Sequence, residues 1–116
     1  MAFDIEQALV EWLPGRCGAP CFAEVPERRP ARFLTVERTG GGSSLGVDRP
    51  LLAVQAWGRS AADASELAMA ARDALVLDSW EIPEVCRCSV SSIYRFPDPD
   101  SRAARYQLDV EAVTRP

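Results

Sequence analysis

The sequence predicts an α+β fold: a mostly antiparallel four- to five-stranded sheet with two helices packed on one face, in the order α-β-β-β-α-β-β. Two segments place apolar residues at helical spacing, and five others have the alternation or apolar content of strands. Four of these strands form two pairs of a kind typical of hairpins, and the βαβα rhythm of a doubly wound fold is absent. Because 116 residues is a typical size for one domain, we expect a single domain over residues 1–116.

The first helix is predicted over residues 4–13. One side of it carries apolar residues at helical spacing: Ile5, Ala8, Leu9 and Trp12. Asp4 is placed to cap the first turn, and Pro14 with Gly15 is expected to end the helix. A short strand over residues 21–25 and a polar turn over 27–30 are expected to lead into the sheet.

The central hairpin is predicted from two segments with strand-like composition, at residues 32–38 and 51–57. The second segment is apolar almost throughout, which favours a central strand covered on both faces. Residues 39–47 lie between them and contain four glycines without apolar periodicity. We therefore expect a flexible loop at this point.

The second helix, over residues 60–77, has the clearest helical pattern in the chain. Ser60 followed by Asp63 resembles a capping box in which Asp replaces the usual Glu. The apolar stripe consists largely of alanine: Ala64, Leu67, Ala68, Ala71 and Leu75. Such a narrow stripe predicts that the helix lies close against the sheet.

The last two strands are predicted over residues 84–95 and 105–114, with a turn-rich loop over 96–104. In the first strand, strict alternation places Cys86, Cys88, Val90 and Tyr94 on one face and Arg87, Ser89, Ser91 and Ile93 on the other. In the second, Tyr106, Leu108, Val110 and Ala112 alternate with Gln107, Asp109 and Glu111. The second strand is therefore expected to bury its apolar side chains and expose its polar ones.

Composition argues against catalysis and against nucleic-acid binding. The chain contains no histidine and no lysine, and its formal net charge is −4. Without histidine it has neither a Ser-His nor a Cys-His pair, and no His-containing zinc site. Binding to phosphates requires a basic patch, which an acidic chain does not favour. We expect a protein that is not an enzyme and uses no cofactor.

The sequence also bears on where the protein works. No stretch approaches the roughly 18 uncharged apolar residues that a membrane-spanning helix needs, so no membrane partner is expected. The first residues are acidic and do not resemble the basic start of a signal peptide. The expectation is a protein that is made and assembled in a cytoplasm.

Two patterns suggest a metal site, and each also has a simple structural interpretation. Cys17, Cys21, Cys86 and Cys88 have spacings unlike the usual zinc pairs, so buried reduced thiols are favoured, although disulfide pairing stays open. Asp98 and Asp100 supply too few oxygen ligands for a calcium site, and the prolines beside them favour a rigid turn.

Two further patterns suggest phosphate binding or hydrolysis. The glycines at 40–42 lack the lysine and the following helix of a phosphate-binding loop, so a hairpin tip is favoured. Asp109 and Glu111 share a strand face, as paired catalytic carboxylates do, but residues on an outward strand face are usually solvated.

Several segments together resemble the tail terminator proteins of long-tailed, siphovirus-like bacteriophages and prophages of actinobacteria. These segments are FLTVERTGG at 33–41, DRP at 48–50, QAW at 55–57, the alanine-rich helix at 60–77, FPDPD at 96–100 and RYQ at 105–107. The resemblance covers residues 4–114, and its motifs are structural rather than chemical. It implies helices on one side of a sheet, no catalysis, and a hexameric ring on the head-proximal end of the tail tube.

The resemblance also implies partners, and it directs attention to three candidate sites. The partners are further copies of the chain, the tail tube protein and a head-completion or connector protein, at the head–tail junction of the virion, with DNA passing through the ring without specific binding. Candidate lumen-facing residues are Gln107, Asp109 and Glu111. Candidate residues of a partner-contacting loop are Arg38, Gly40, Gly41, Gly42, Ser43, Ser44 and Leu45. Trp80 lies outside the periodic segments, and from this position it is a candidate interface anchor, with packing over the end of the second helix as the alternative.

Two alternative functions belong to different settings. A head-completion or neck protein of the phage connector shares the size and location of a terminator. A ferredoxin-like ligand-binding module needs a pocket with convergent polar groups, for which the sequence offers no clear set.

Overall fold

The computed structural model describes residues 3–115 of the chain. Its elements are α1 (Ile5–Cys17), β1 (Cys21–Phe22), β2 (Phe33–Gly40), β3 (Ser43–Ser44), β4 (Val47–Asp48), β5 (Leu51–Gly58), α2 (Ala61–Asp73), a π-helical turn (Ala74–Asp78), a 3-10 turn (Ser79–Glu81), β6 (Val85–Arg95) and β7 (Ala104–Thr114). The predicted α+β class is confirmed, and the order of the longer elements follows the prediction.

The sheet contains the strands β1-β2-β5-β7-β6 in that order, and the short β4 pairs with the end of β7. Both predicted hairpin partners are found in antiparallel pairs, β2 with β5 and β6 with β7. β7 lies between β5 and β6, so the two hairpins are joined by the antiparallel pairing of β5 with β7. The two-residue strand β1 runs parallel to β2, so the sheet is mixed at this margin. The strand predicted over residues 21–25 is therefore shorter than expected.

Both helices lie on one face of the sheet and contact each other there. The buried core between them and the sheet contains Leu9 and Leu13 from α1, Leu67 and Ala68 from α2, and Leu34, Val36, Leu52, Val54, Ala56, Leu108 and Val110 from the strands. The stripe alanines Ala64, Ala68 and Ala71 are fully buried, which confirms the close approach that the narrow stripe predicts. Among residues 3–115 no helix lies on the opposite face, which we call the helix-free face.

The first helix is longer than predicted because Pro14 does not end it. α1 continues to Cys17, and Gly18 caps it with a φ of 68° and an N–H that donates to Pro14 O at 3.0 Å. A proline in the last turn removes only one hydrogen bond, whereas the left-handed backbone at Gly18 cannot continue a helix. The buried face consequently extends to Leu13 and Cys17.

The start of α2 follows the prediction, and helical backbone continues to Asp78, close to the predicted end, but the last turn is π-helical. Ser60 Oγ accepts a hydrogen bond from Asp63 N at 3.1 Å, as a capping residue does. The Asp63 carboxylate accepts from Arg59 N at 2.9 Å rather than completing the box at Ser60. The α-helix ends at Asp73, and the π-helical turn that follows shifts the hydrogen-bond register before residue 78.

The strict alternation predicted for β6 is interrupted twice. A first bulge between Val85 and Arg87 leaves Cys86 exposed, and beyond Ser91 the predicted faces are wrong. A second bulge lies between Val90 and Ser92, where two residues of β6 face a single step of β7. A one-residue insertion exchanges the two faces of all later residues. Ile93 therefore joins the core with Cys88 and Val90, and Tyr94 moves to the helix-free face.

Within residues 3–115, no helix is both long enough and apolar enough to cross a membrane.

Candidate functional site

The helix-free face presents side chains in rows that run across the strands. The pairing register aligns Thr35 with Gln55, Gln55 with Gln107, and Gln107 with Tyr94. The preceding row is aromatic and basic, with Phe33, Trp57 and Arg105, and the following row contains Glu37, Ala53, Asp109 and Ser92. The face therefore changes from an aromatic–arginine end to an acidic end, beyond which Glu111 shares a cleft with Arg49 and Arg87.

The middle row is a continuous hydrogen-bond ladder of neutral side chains. Thr35 Oγ1 donates to Gln55 Oε1 at 3.2 Å, and Gln55 Nε2 donates to Gln107 Oε1 at 2.9 Å. Gln107 Nε2 then donates to Tyr94 Oη at 2.9 Å and to Asp109 Oδ1 at 3.0 Å. Because each amide has partners on both sides, the ladder holds these side chains flat against the sheet.

The sequence indicated only part of this ladder. Gln107 and Asp109 were candidates, and Gln55 lies two residues from Trp57 on the same face of a predicted strand. Tyr94 was predicted to share a face with Cys86, Cys88 and Val90, because the bulge at Ser91 leaves no mark in the alternation pattern. The hydrogen-bond donors and acceptors of the ladder belong to strands that are distant in the sequence and become neighbours only in the tertiary fold.

Trp57 closes the other end of the helix-free face. Its ring stacks on Phe33 with centroids 5.2 Å apart, and the guanidinium groups of Arg29 and Arg105 lie 5.2 and 4.9 Å from its centroid. Arg105 is 8% exposed and its Nε donates to Phe96 O at 2.7 Å. This arginine is therefore a packed structural group rather than a free surface cation.

Asp98 belongs to the turn beside this arginine. Its carboxylate accepts hydrogen bonds from the Ser101 hydroxyl and from Ser101 N, and the Ser101 bond holds the pKa of Asp98 below its ordinary value. Arg105 Nη1 lies 4.0 Å from Asp98 Oδ1. The carboxylate oxygens are thus engaged in shaping the turn, as the favoured structural interpretation of residues 96–100 predicts.

The three candidate lumen residues all lie on the helix-free face. Gln107 and Asp109 are half-buried members of the ladder, and Glu111 is exposed. Their alternation with buried Leu108, Val110 and Ala112 agrees with the prediction for this strand.

The glycine-rich segment is an ordered hairpin, so the prediction of a flexible loop is wrong. β3 and β4 pair through Ser43 with Asp48 and Ser44 with Val47, and β4 reaches the end of β7. Arg38 secures the segment with Nη1 2.6 Å from Asp48 Oδ2 and Nη2 2.9 Å from Asp48 Oδ1. The same guanidinium donates to the carbonyl oxygens of the first two glycines, 40 and 41, at 2.9 and 3.1 Å.

Within this hairpin the candidate contact residues have different roles. Arg38 is an internal brace, and Gly41 has a φ of 94° with an ideal Cβ only 2.1 Å from Arg49 O. Ser43, Ser44 and Leu45 form the tip, where Leu45 is fully exposed. The fixed position of the tip follows from a feature that the sequence did not reveal, the pairing of Arg38 with Asp48.

Trp80 lies in an exposed apolar patch formed after α2. Its side chain is 72% exposed, and Val76 and Leu77 are 48% and 65% exposed. We call Val76, Leu77 and Trp80 the tryptophan patch. Behind it, Glu81 pairs with Arg16 and accepts a hydrogen bond from Trp12 Nε1 at 3.0 Å. These contacts tie the 3-10 turn to α1, so the patch is presented on an anchored segment.

The four cysteines are free thiols in different environments. Cys17 and Cys21 are buried, and burial raises their pKa values to about 11 and about 12. Burial also raises the pKa of Cys88 to about 11, while Cys86 is exposed on β6. In the part of the chain that the structure describes, no three potential metal ligands are grouped together.

Comparison with known proteins identifies the family. Residues 18–115 match the family of the tail completion protein gp17, which covers more than half of the chain. No curated protein matches the sequence. The match begins at the cap of α1 and includes the whole sheet and α2. The chain therefore belongs to the tail completion protein gp17 family, and it is a structural component of the bacteriophage tail that acts in tail assembly with other phage proteins.

Proposed function

We propose that this protein is the tail terminator of a long-tailed phage or prophage of an actinobacterium. Six copies form a ring on the head-proximal end of the tail tube, at the head–tail junction. The ring stops addition of tube subunits and offers its other side to head-completion proteins. The helix-free face, with its neutral ladder and acidic end, is the observation that supports this role best.

In this proposal the helix-free face lines the ring. DNA has to slide past this surface, and basic side chains would bind its phosphates. The ladder presents amide and hydroxyl groups, and Asp109 and Glu111 add negative charge that repels phosphates. Arg105 does not oppose this effect because its guanidinium is packed between Trp57 and Phe96. Arg49 and Arg87 share a cleft with Glu111 and offset part of the negative charge there.

The mechanism is geometric and non-catalytic. A closed ring leaves no subunit surface for further growth, which is enough to end polymerisation of the tube. Contacts with neighbouring proteins are assigned to two exposed apolar features, the hairpin tip at Leu45 and the tryptophan patch. Both stand on braced segments, so little conformational entropy is lost when they bind.

Negative-stain imaging of the protein mixed with purified tail tubes tests the proposal. We expect six-fold rings at one end of each tube and tubes that no longer lengthen when free tube protein is added. Native mass measurement of the bound species gives the number of copies. Tubes that stay uncapped and continue to grow would contradict the proposal, and binding to filled heads instead would identify a neck protein.

Substitutions at Trp80 and Leu45 test whether the tryptophan patch and the hairpin tip contact neighbouring proteins. Trp80→Ser and Leu45→Ser should each reduce capping or head joining by about tenfold, because exposed apolar anchors carry much of the binding energy at interfaces. Arg72→Ala, an exposed change on α2, should leave both reactions unchanged.

The lumen assignment has its own test. Glu111→Lys should leave ring formation intact and slow DNA passage in reconstituted particles, because the new cation binds phosphates. Glu111→Gln serves as the matched control. If DNA passes through the lysine variant at the original rate, Glu111 does not line the lumen.

A further inference from the structure

The outer edge of β6 is the long unpaired edge of the sheet. β6 has 11 residues and pairs only with β7 among the strands described for residues 3–115. Of its residues, only Val85 is buried. Unpaired N–H and C=O groups along such an edge are a template for a strand of another chain.

The opposite margin of the sheet is closed in a different way. β1 covers β2 along Leu34 and Thr35, and farther along β2 the N–H of Arg38 donates to the Glu6 carboxylate at 2.8 Å. The outermost element here is the two-residue strand β1, followed by bends at Ala23 and Glu24. The sheet therefore has a long unpaired edge at β6 and a short, partly covered edge at β1 and β2.

The two ends carry opposite charge. β6 contains two arginines, Arg87 and Arg95, and no carboxylate. Both are exposed, and neither forms an ion pair within residues 3–115. Arg87 lies opposite Val113 in the row beyond Glu111, on the helix-free side.

At the β1–β2 margin, a cleft on the helix-free side has three carboxylates and no arginine in its wall. The cleft is lined by Glu6, Ala23, Glu24, Val25, Thr35, Glu37 and Gln55. Glu24 and Glu37 are exposed. This margin is therefore complementary in charge to Arg87 on the other end of the same sheet.

From these features we infer that β6 of one copy docks against the β1–β2 margin of the next copy, with Arg87 directed to Glu24 and Glu37. This inference rests on the proposed ring and names the contact that closes it. A contact between two different surfaces of identical chains is the kind that generates rings. Pairing β6 with a second β6 would offer its arginines no opposite charge, because β6 contains no carboxylate, and would end at a dimer.

The contact also explains how the helix-free face can line a ring. When the two ends of identical sheets join with their charged groups on the helix-free side, that face stays on the same side in every copy. The helices then lie on the other side, away from the ladder.

Charge exchange tests the inference. Arg87→Glu should weaken ring formation on tail tubes at least about tenfold, and Glu24→Arg with Glu37→Arg should do the same. Combining all three changes in one chain should restore assembly to within about threefold of the original. Arg59→Glu, at the turn before α2, is the matched control and should have no effect. Failure of the combined variant to recover, while its fold is intact by circular dichroism, would overturn the inference.

Cross-linking gives a readout that does not need tail tubes. Val25→Cys should form disulfides with the exposed Cys86 of neighbouring copies under mild oxidation, giving a ladder of covalent oligomers in concentrated solution. Adding Cys86→Ser should abolish the ladder. A product that stops at a dimer linked through Cys86 alone would overturn the inference in favour of β6–β6 pairing.

These two experiments separate the inference from the proposed function. If wild-type rings cap the tubes and the charge-exchange variants cap them equally well, the terminator role is supported and this contact is excluded. If the wild-type chain caps no tubes, the proposed function fails, and the presence or absence of the cross-linked ladder alone decides the contact.

Discussion

Arg38 holds Asp48 through two parallel hydrogen bonds, of 2.6 Å from Nη1 to Oδ2 and 2.9 Å from Nη2 to Oδ1, across a separation of ten residues. This pair joins the end of β2 to the hairpin β3–β4. The pair braces the glycine-rich hairpin against β2, and it thereby positions the hairpin tip at Leu45.

Removing this brace should loosen the hairpin without unfolding the protein. We expect Arg38→Ala to lower the free energy of unfolding by about 1 kcal/mol, a modest value because both side chains are partly exposed and water screens the pair. Urea unfolding measures the loss, and hydrogen exchange should accelerate mainly at residues 41–48. Arg72→Ala, which removes a more exposed pair with Asp73, should cost less than about 0.5 kcal/mol.

The contribution of this pair should depend on pH in a defined direction. The Arg38 hydrogen bonds lower the pKa of Asp48 in the folded protein, so the ionised carboxylate stabilises the fold. A carboxyl whose pKa is lowered by folding contributes stability that is complete above its pKa in the unfolded chain, about 3.9. This contribution is lost as the pH falls through its pKa in the folded protein. The urea midpoint difference between wild type and Asp48→Asn should therefore be constant from pH 7 to about 5 and shrink below about pH 4. A difference that grows on acidification would show that the carboxylate is not stabilised by Arg38.

Gly41 should be the most sensitive glycine of the hairpin. Its φ of 94° and the 2.1 Å approach of an ideal Cβ to Arg49 O leave no room for a side chain. Gly41→Ala should destabilise the protein by about 1–3 kcal/mol. At the neighbouring Gly42, an added Cβ meets nothing within 4 Å. Gly42→Ala should therefore change the free energy of unfolding by less than about 1 kcal/mol, and equal effects at the two sites would refute the assignment.

Truncation of two tryptophans should change the free energy of unfolding by very different amounts. Trp57 is 3% exposed and packed between Phe33 and two arginines, so Trp57→Ala should cost about 3–5 kcal/mol. Trp80 is 72% exposed, so Trp80→Ala should change stability by less than about 0.5 kcal/mol. Thermal and urea unfolding of the two variants measure the contrast. A large loss at Trp80 would make it a structural residue rather than an interface anchor.

The thiols should react in order of exposure. At pH 8, Cys86 should be alkylated first by iodoacetamide because it is exposed on the edge strand. Cys17, Cys21 and Cys88 should react far more slowly, since burial blocks the reagent and raises their pKa values to about 11, 12 and 11. Peptide mass spectrometry after timed quenching gives the order. Early labelling of Cys17 would mean that α1 separates readily from the sheet.

Much of the fold follows from local sequence chemistry. The alternation in β7 assigns Leu108 to the core and Asp109 to the opposite face, because side chains of a strand point to alternate sides. The cap at Ser60 marks the start of α2, because the orphan N–H groups of a helix end need a nearby acceptor. Such features depend on residues a few positions apart, and the sequence displays them directly.

The sequence by itself determined the α+β class, the two hairpins and the polar character of the exposed strand face. Tertiary structure alone decided that β7 lies between β5 and β6, that Arg38 braces Asp48, and that the bulge at Ser91 brings Tyr94 onto the helix-free face. The reason is physical. Helix and strand periods arise from each residue's own neighbours, whereas strand order, bulges and long-range hydrogen bonds arise from the best joint packing of segments distant in the chain.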